Sequence, residues 1–145
     1  PCGTLFPYTT LFRSVLLAKF EVFPEEVELR NEAAARYGQL LAKVDGLTLP
    51  EVPEGYTSVW AQYSVLAPTA RRRDAMQKAL AAEDIPTAIY YPIPLHLQTA
   101  YSGLEYAAGD LPVCEDMAER IFSLPMHPYL EEELQERIAG VLAGA

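Results

Sequence analysis

The sequence predicts an α/β (α+β) domain: a short, mainly antiparallel three-stranded sheet of split βαβ connectivity, covered by helices and preceded by a long kinked helix. Three observations carry that prediction. Apolar residues recur every three or four positions from Leu16 to Leu41, the spacing of one helical face. Two β-rich runs, 58–66 and 87–91, flank a helical stretch over 69–84. A further short extended run, 123–126, follows another helix and can slot between the first two.

The first helix is carried by Leu16, Phe20, Phe23, Val27, Ala34, Tyr37 and Leu41. Pro24 falls inside it, so the pattern reads as a helix to about Phe23 and a second from Pro24, or as one kinked helix. Asp45-Gly46 ends it, with Gly46 suited to a left-handed cap. Leu47-Thr48-Leu49 reads as a short strand and 50–55 as an acidic, proline-rich loop. In the second helix Met76, Ala79 and Leu80 face inward. Asp110 is the expected N-cap of a third helix, with Pro112 in its first turn and Val113, Met117 and Ile121 on the buried face. Residues 130–142 close the chain as an amphipathic helix on Leu130, Leu134, Ile138 and Val141.

Length and charge bound the function. At 145 residues the chain is one domain's worth, with half its residues apolar. No apolar run is long enough to span a bilayer as a helix. A net charge of −9 argues against a nucleic-acid surface, which needs a basic stripe. The cysteines are Cys2 and Cys114, with no CxxC pair and no Cys/His cluster. Neither a zinc site nor a disulfide framework is expected, and a reducing, cytoplasmic setting fits. No partner membrane is expected.

Residues 1–14 stand apart. They read PCGTLFPYTTLFRS, with two prolines, no period and one charge, and the pattern switches to a strong helix at Ser14/Val15. The run has no basic start, apolar stretch or small-residue cleavage site of a signal peptide, and PYTTLFRS resembles translated sequencing-adapter read-through. The expected organisation is therefore 1–14 foreign or disordered, 15–46 linking helix or helices, and 47–145 a small domain.

The richest chemistry lies in 90–101, YYPIPLHLQTAY. Pro92 and Pro94 exclude a helix there and favour an extended backbone. That stiff segment carries Tyr90, Tyr91, His96 and Tyr101, a set suited to holding a polar, ring-shaped ligand. His96 can donate to a hydroxyl or, when charged, pair with an anion; equally, it can cap its own loop. Tyr91 is the second candidate, Tyr90 points to the other face, and Gln98 and Tyr101 are rim candidates. His127, between Pro125 and Pro128, reads as part of a structural turn. Arg71-Arg72-Arg73 opens a helix and reads as a solvated face. Cys114 has no basic neighbour to activate it. Trp60 reads as a strand residue of a small core.

Taken in order, several motifs carry a family resemblance: VLLAKFE at 15–21 with 29–32 and 35–37, SVWAQY at 58–63, IPTA at 85–88, YPIPLH at 91–96 and LPMHP at 124–128. From Val15 onward the chain resembles the C-terminal portion of DegT/DnrJ/StrS-type sugar-nucleotide aminotransferases, most nearly those acting on UDP-3-keto uronic acid-like sugars. The resemblance implies the small C-terminal domain of a fold type I aminotransferase. It implies pyridoxal 5′-phosphate as cofactor of the full-length enzyme, with the Schiff-base lysine upstream of this segment. Lys19, Lys43 and Lys78 all read as solvated helix lysines, so no catalytic or cofactor-binding residue, no bound cofactor and no turnover are expected of the chain alone. The resemblance further implies a nucleotide-sugar substrate, glutamate as amino donor, a homodimer, a place in surface-polysaccharide synthesis, and substrate-side roles for His96 and Tyr91. The competing reading is a stand-alone, non-catalytic ligand-binding or regulatory domain with a ferredoxin-like sheet.

Overall fold

The computed structural model describes the backbone from Pro7 to Ala145, and side chains from Phe12. Four helices and one small sheet follow in order: α1 (Pro7–Leu41), β1 (Tyr63–Leu66), α2 (Ala70–Ala82), α3 (Pro112–Arg120), β2 (Ile121–Leu124) and α4 (Glu132–Gly144).

β1 and β2 pair antiparallel in the register Tyr63↔Leu124, Ser64↔Ser123, Val65↔Phe122 and Leu66↔Ile121. Single antiparallel bridges extend the layer on both sides, Thr48 to Leu66 and Ala88 to Ser123. The late strand β2 therefore lies between β1 and the segment at Ala88, as the split βαβ connectivity requires. The outer segments are shorter than expected: 47–49 and 87–91 contribute one bridge each. Pro86 and Pro92 bracket the latter and limit the donors it can offer. The 58–66 run yields only its last four residues as strand, because Trp60 takes a left-handed φ of 47° that breaks the extended path.

α1 runs unbroken through Pro24. It starts at Pro7, so the composition change at Ser14/Val15 is not an element boundary; residues 1–6 lie outside the described residues. After Leu41 the chain turns, and Gly46 adopts φ +73°, the left-handed geometry that favours glycine. The two halves of α1 differ sharply. Ala33, Ala34, Tyr37 and Leu41 are buried, whereas Leu16, Phe20 and Phe23 of the same expected stripe lie open to solvent, Phe20 at 65%.

The core joins that C-terminal half of α1 to the sheet, α2 and α4 through Tyr63, Val65, Met76, Leu80, Phe122, Ile138 and Leu142. The Tyr37 and Tyr63 rings sit 4.9 Å apart, and the Tyr37 hydroxyl donates to the Pro125 carbonyl at 3.0 Å. Gln135 on α4 is fully buried yet satisfied: it accepts from Arg36 at 2.7 Å and donates to the Ala33 carbonyl at 2.8 Å. Such a closed set of bonds costs little on burial and fixes how α1 meets α4.

Two expectations about α3 are corrected. Its N-cap is Leu111, not Asp110, whose carboxylate instead accepts from the Ala107 N–H at 2.7 Å. The face carrying Val113 and Met117 is exposed, Val113 at 71%, and α3 buries no residue. The apolar period was real, but the sheet is too narrow to reach under this helix.

Candidate functional site

The 90–101 segment is not the extended rod its prolines suggest. Tyr91 adopts φ +59°, directly before Pro92, a conformation that is strained for a bulky side chain. Pro94 returns the chain to φ −51°, ψ 143°, and two single 3-10 turns follow, Leu95–Leu97 and Thr99–Tyr101. A Gln98 side-chain bond to the Ile93 carbonyl, 3.0 Å, ties the first turn back on itself.

The folded loop, with 104–111 and α3, surrounds an open depression of about 610 Å³. Tyr91, His96 and Tyr101 line it, joined by Tyr106, Leu111 and Cys114. Gln98 and Tyr90 do not; Tyr90 lines a separate, smaller depression of about 210 Å³ beside β2. Tyr91 is 76% exposed, so its left-handed backbone holds an aromatic ring and a hydroxyl out at the rim.

His96 is the reverse. Its side chain is 5% exposed, and between Ile85 and Phe122 it is the one buried residue. Nε2 lies 3.0 Å from Glu115 Oε1, and the Tyr106 ring meets the imidazole edge-on at 6.4 Å. Glu115 also accepts the Gly109 N–H through both oxygens at 2.9 Å and the Leu111 N–H at 3.3 Å. Backbone donors, first from Gly109, and then His96 hold the Glu115 carboxyl below the usual carboxylate range. Glu115 thus stands in for the absent N-cap side chain of α3 while gripping His96.

Sequence reading missed Glu115, Tyr106 and Leu111 as members of this site. Glu115 carried a signal: an acidic residue in the first turn after Pro112, placed to reach back to the free N–H groups of the helix start. The contact to His96, nineteen positions away, had none.

The other candidates lie elsewhere. His127 is exposed in the turn before Leu130, whose N–H bonds to its carbonyl at 3.3 Å. Arg73 pairs with Asp74 at 2.8 Å, and Thr69 caps α2 by accepting the Arg72 N–H. Trp60 packs beside the core, 5.4 Å from the Tyr63 ring, and its indole N–H donates to Asn31 at 3.0 Å. Lys43 and Lys78 are exposed, and Lys19 is paired with Glu26 at 2.8 Å. None of the three lysines lines the depression. Among the described residues no group of three or more His, Cys, Asp or Glu could hold a metal ion.

Comparison with known proteins gives a consistent answer. Residues 2–143 match the family described as DegT/DnrJ/EryC1/StrS aminotransferases. The UDP-2-acetamido-2-deoxy-3-oxo-D-glucuronate aminotransferase of Pseudomonas aeruginosa is 41% identical over 122 residues, 84% of this chain and 32% of that protein. The UDP-N-acetyl-3-dehydro-alpha-D-glucosamine 3-aminotransferase of Acidithiobacillus ferrooxidans is 42% identical over 128 residues, 88% of this chain and 33% of that protein. The crystal structure of a DegT DnrJ EryC1 StrS aminotransferase from Brucella abortus superposes with a TM-score of 0.80 at 48% identity, covering 90% of this chain and 34% of that one. The chain spans about a third of the length of the relatives it matches.

Proposed function

The chain belongs to the DegT/DnrJ/EryC1/StrS aminotransferase family, and we propose that it forms the small-domain part of an enzyme that moves an amino group from glutamate onto a nucleotide-linked keto sugar. The observation that carries this reading is the match itself: more than 40% identity across most of the chain to two curated enzymes that both aminate UDP-linked 3-keto sugars. In this reading Tyr91 and His96 form a substrate-side wall. The Tyr91 ring and hydroxyl stand at the rim for a polar ring to lie against, and the lining around them is largely apolar. The enzyme works as a cytoplasmic homodimer supplying amino sugars for surface polysaccharide.

The cofactor that the family implies, pyridoxal 5′-phosphate, acts as an electron sink once it is joined to a lysine amine. The residues of this chain do not fit that role. Its three lysines are exposed or ion-paired on or just after helices, away from the depression. The cofactor site is accordingly assigned to the part of the longer enzyme that this chain does not match.

A chimaera tests the assignment. Residues 15–145 replace the matching segment of the Pseudomonas aeruginosa relative, and amino transfer from glutamate to that enzyme's keto sugar is measured. Turnover is expected. A folded, cofactor-loaded chimaera that aminates no keto-sugar nucleotide overturns the function. For the chain alone with pyridoxal phosphate and borohydride, no site-specific lysine adduct is expected; finding one overturns the placement of the cofactor site.

A further inference from the structure

The reading of the 90–111 loop as a substrate wall leaves open what His96 presents to the depression, and the bonds around Glu115 decide it. Every other partner of Glu115 in this loop is a backbone N–H, a group that can only donate. An ionised carboxylate can only accept, so the imidazole nitrogen 3.0 Å away carries the hydrogen. In the neutral ring that leaves Nδ1 as a bare lone pair. Among the described residues no group pairs with Nδ1, yet no buried side-chain nitrogen or oxygen lacks a partner. Nδ1 is therefore not sealed inside the protein. It keeps access to open space, and His96 is one of the residues that line the depression.

We propose that Glu115 is a positioning residue that locks His96 in its Nε2–H form and turns Nδ1 toward the depression as a hydrogen-bond acceptor, for a hydroxyl or ammonium hydrogen of the ligand. The inference rests on the substrate-wall reading and narrows it. A neutral His96 serves a sugar hydroxyl or amine, and offers nothing to a phosphate or carboxylate. A flipped imidazole would set a ring carbon against the Glu115 carboxylate, which the Gly109 and Leu111 N–H groups hold in place.

The chain has only two histidines, and exposed His127 is an internal reference. Nitrogen-resolved NMR of the 145-residue chain in mildly alkaline buffer is expected to show a one-bond N–H cross-peak at Nε2 of His96 and none for His127. Glu115→Ala is expected to abolish it, and Glu115→Gln, whose amide oxygen can still accept, to retain it at a shifted position. A protonated Nδ1, no protected Nε2–H in the wild type, or a cross-peak indifferent to both variants overturns the proposal. Where alanine unfolds the loop, the wild-type and glutamine spectra still decide. In the chimaeric enzyme, His96→Gln keeps an amide able to donate to Glu115 but deletes the Nδ1 acceptor. It is expected to raise KM about fivefold to tenfold, more than it lowers kcat. A protected Nε2–H with KM unmoved overturns the substrate contact and leaves the positioning by Glu115. A missing Nε2–H overturns the positioning and leaves the wall reading standing.

Discussion

Residues 33–85 together with 122–142 bury the side chains that hold this domain together, whereas everything between Ile85 and Phe122 buries His96 alone. Both regions are rich in apolar residues. The difference is what each has to lie against. Tyr37, Leu80 and Leu142 converge on a sheet and on one another. Leu104, Tyr106, Val113 and Met117 meet no such surface and stay open to solvent. An apolar surface of that kind marks a place where a ligand or another body is received, while the buried one carries stability. The lone inward residue of the open region is polar and held by one hydrogen bond to Glu115, which three bonds from the Gly109 and Leu111 N–H groups fix in turn, so that region gets its shape from electrostatics rather than from packing.

The contrast can be broken most directly by truncation. Phe122→Ala, in the centre of the ladder, is expected to cost about 3–5 kcal/mol in denaturant unfolding, whereas Val113→Ala should stay within about 0.5 kcal/mol. Comparable losses at both positions would mean that α3 is a structural helix after all.

Alkali and acid should then separate the regions. Burial pushes the Tyr63 hydroxyl up to about 12 and raises Tyr37 as well. Both are protonated in the fold and ionise near 10 once unfolded, so their contribution is whole below pH about 10 and is lost as pH rises toward 12. Denaturant midpoints should fall across that window, and Tyr63→Phe should flatten the fall. Glu115 has the opposite sign. Its depressed pKa means stabilisation that is whole above the usual 4.5 and is lost as pH falls through the lowered native value. Amide exchange at Gly109 and Leu111 should accelerate in acid before exchange in β1 and β2 does; simultaneous loss would show the two regions to be one cooperative unit.

The smallest effect concerns Tyr91. Its φ of +59° suits glycine, so Tyr91→Gly is expected to leave stability unchanged or raise it by up to about 1 kcal/mol, while KM in the chimaeric enzyme rises. A variant that loses stability and keeps its KM would make Tyr91 a packing residue and move it out of the substrate wall.

Much of this was legible in the residues. Helical periodicity marked α1, α2 and α4, Thr69 and Gly46 marked two boundaries, and the crossing order of the short strands predicted the split sheet. Tyr91, His96 and Tyr101 were singled out together and line one depression. Illegible were the features set by distant partners. The α3 stripe of Val113 and Met117 has the same spacing as the α4 stripe of Leu134 and Ile138, and no local rule says which of two such stripes finds other elements to pack against. The left-handed turns at Trp60 and Tyr91 oppose local preference outright; at Trp60 bonds to Arg30 and Asn31 on α1 hold the turn.

Taken by itself, the sequence determined the helical and extended segments, the family, and the stretch whose residues line the depression, because periodicity, prolines and short motifs act over a few neighbouring residues. Only the tertiary structure decided that half of α1 and all of α3 stay uncovered, and that Glu115 closes on His96 from nineteen positions away. Burial and hydrogen-bond partners depend on which surfaces meet, and that is a property of the whole packed chain rather than of any window along it.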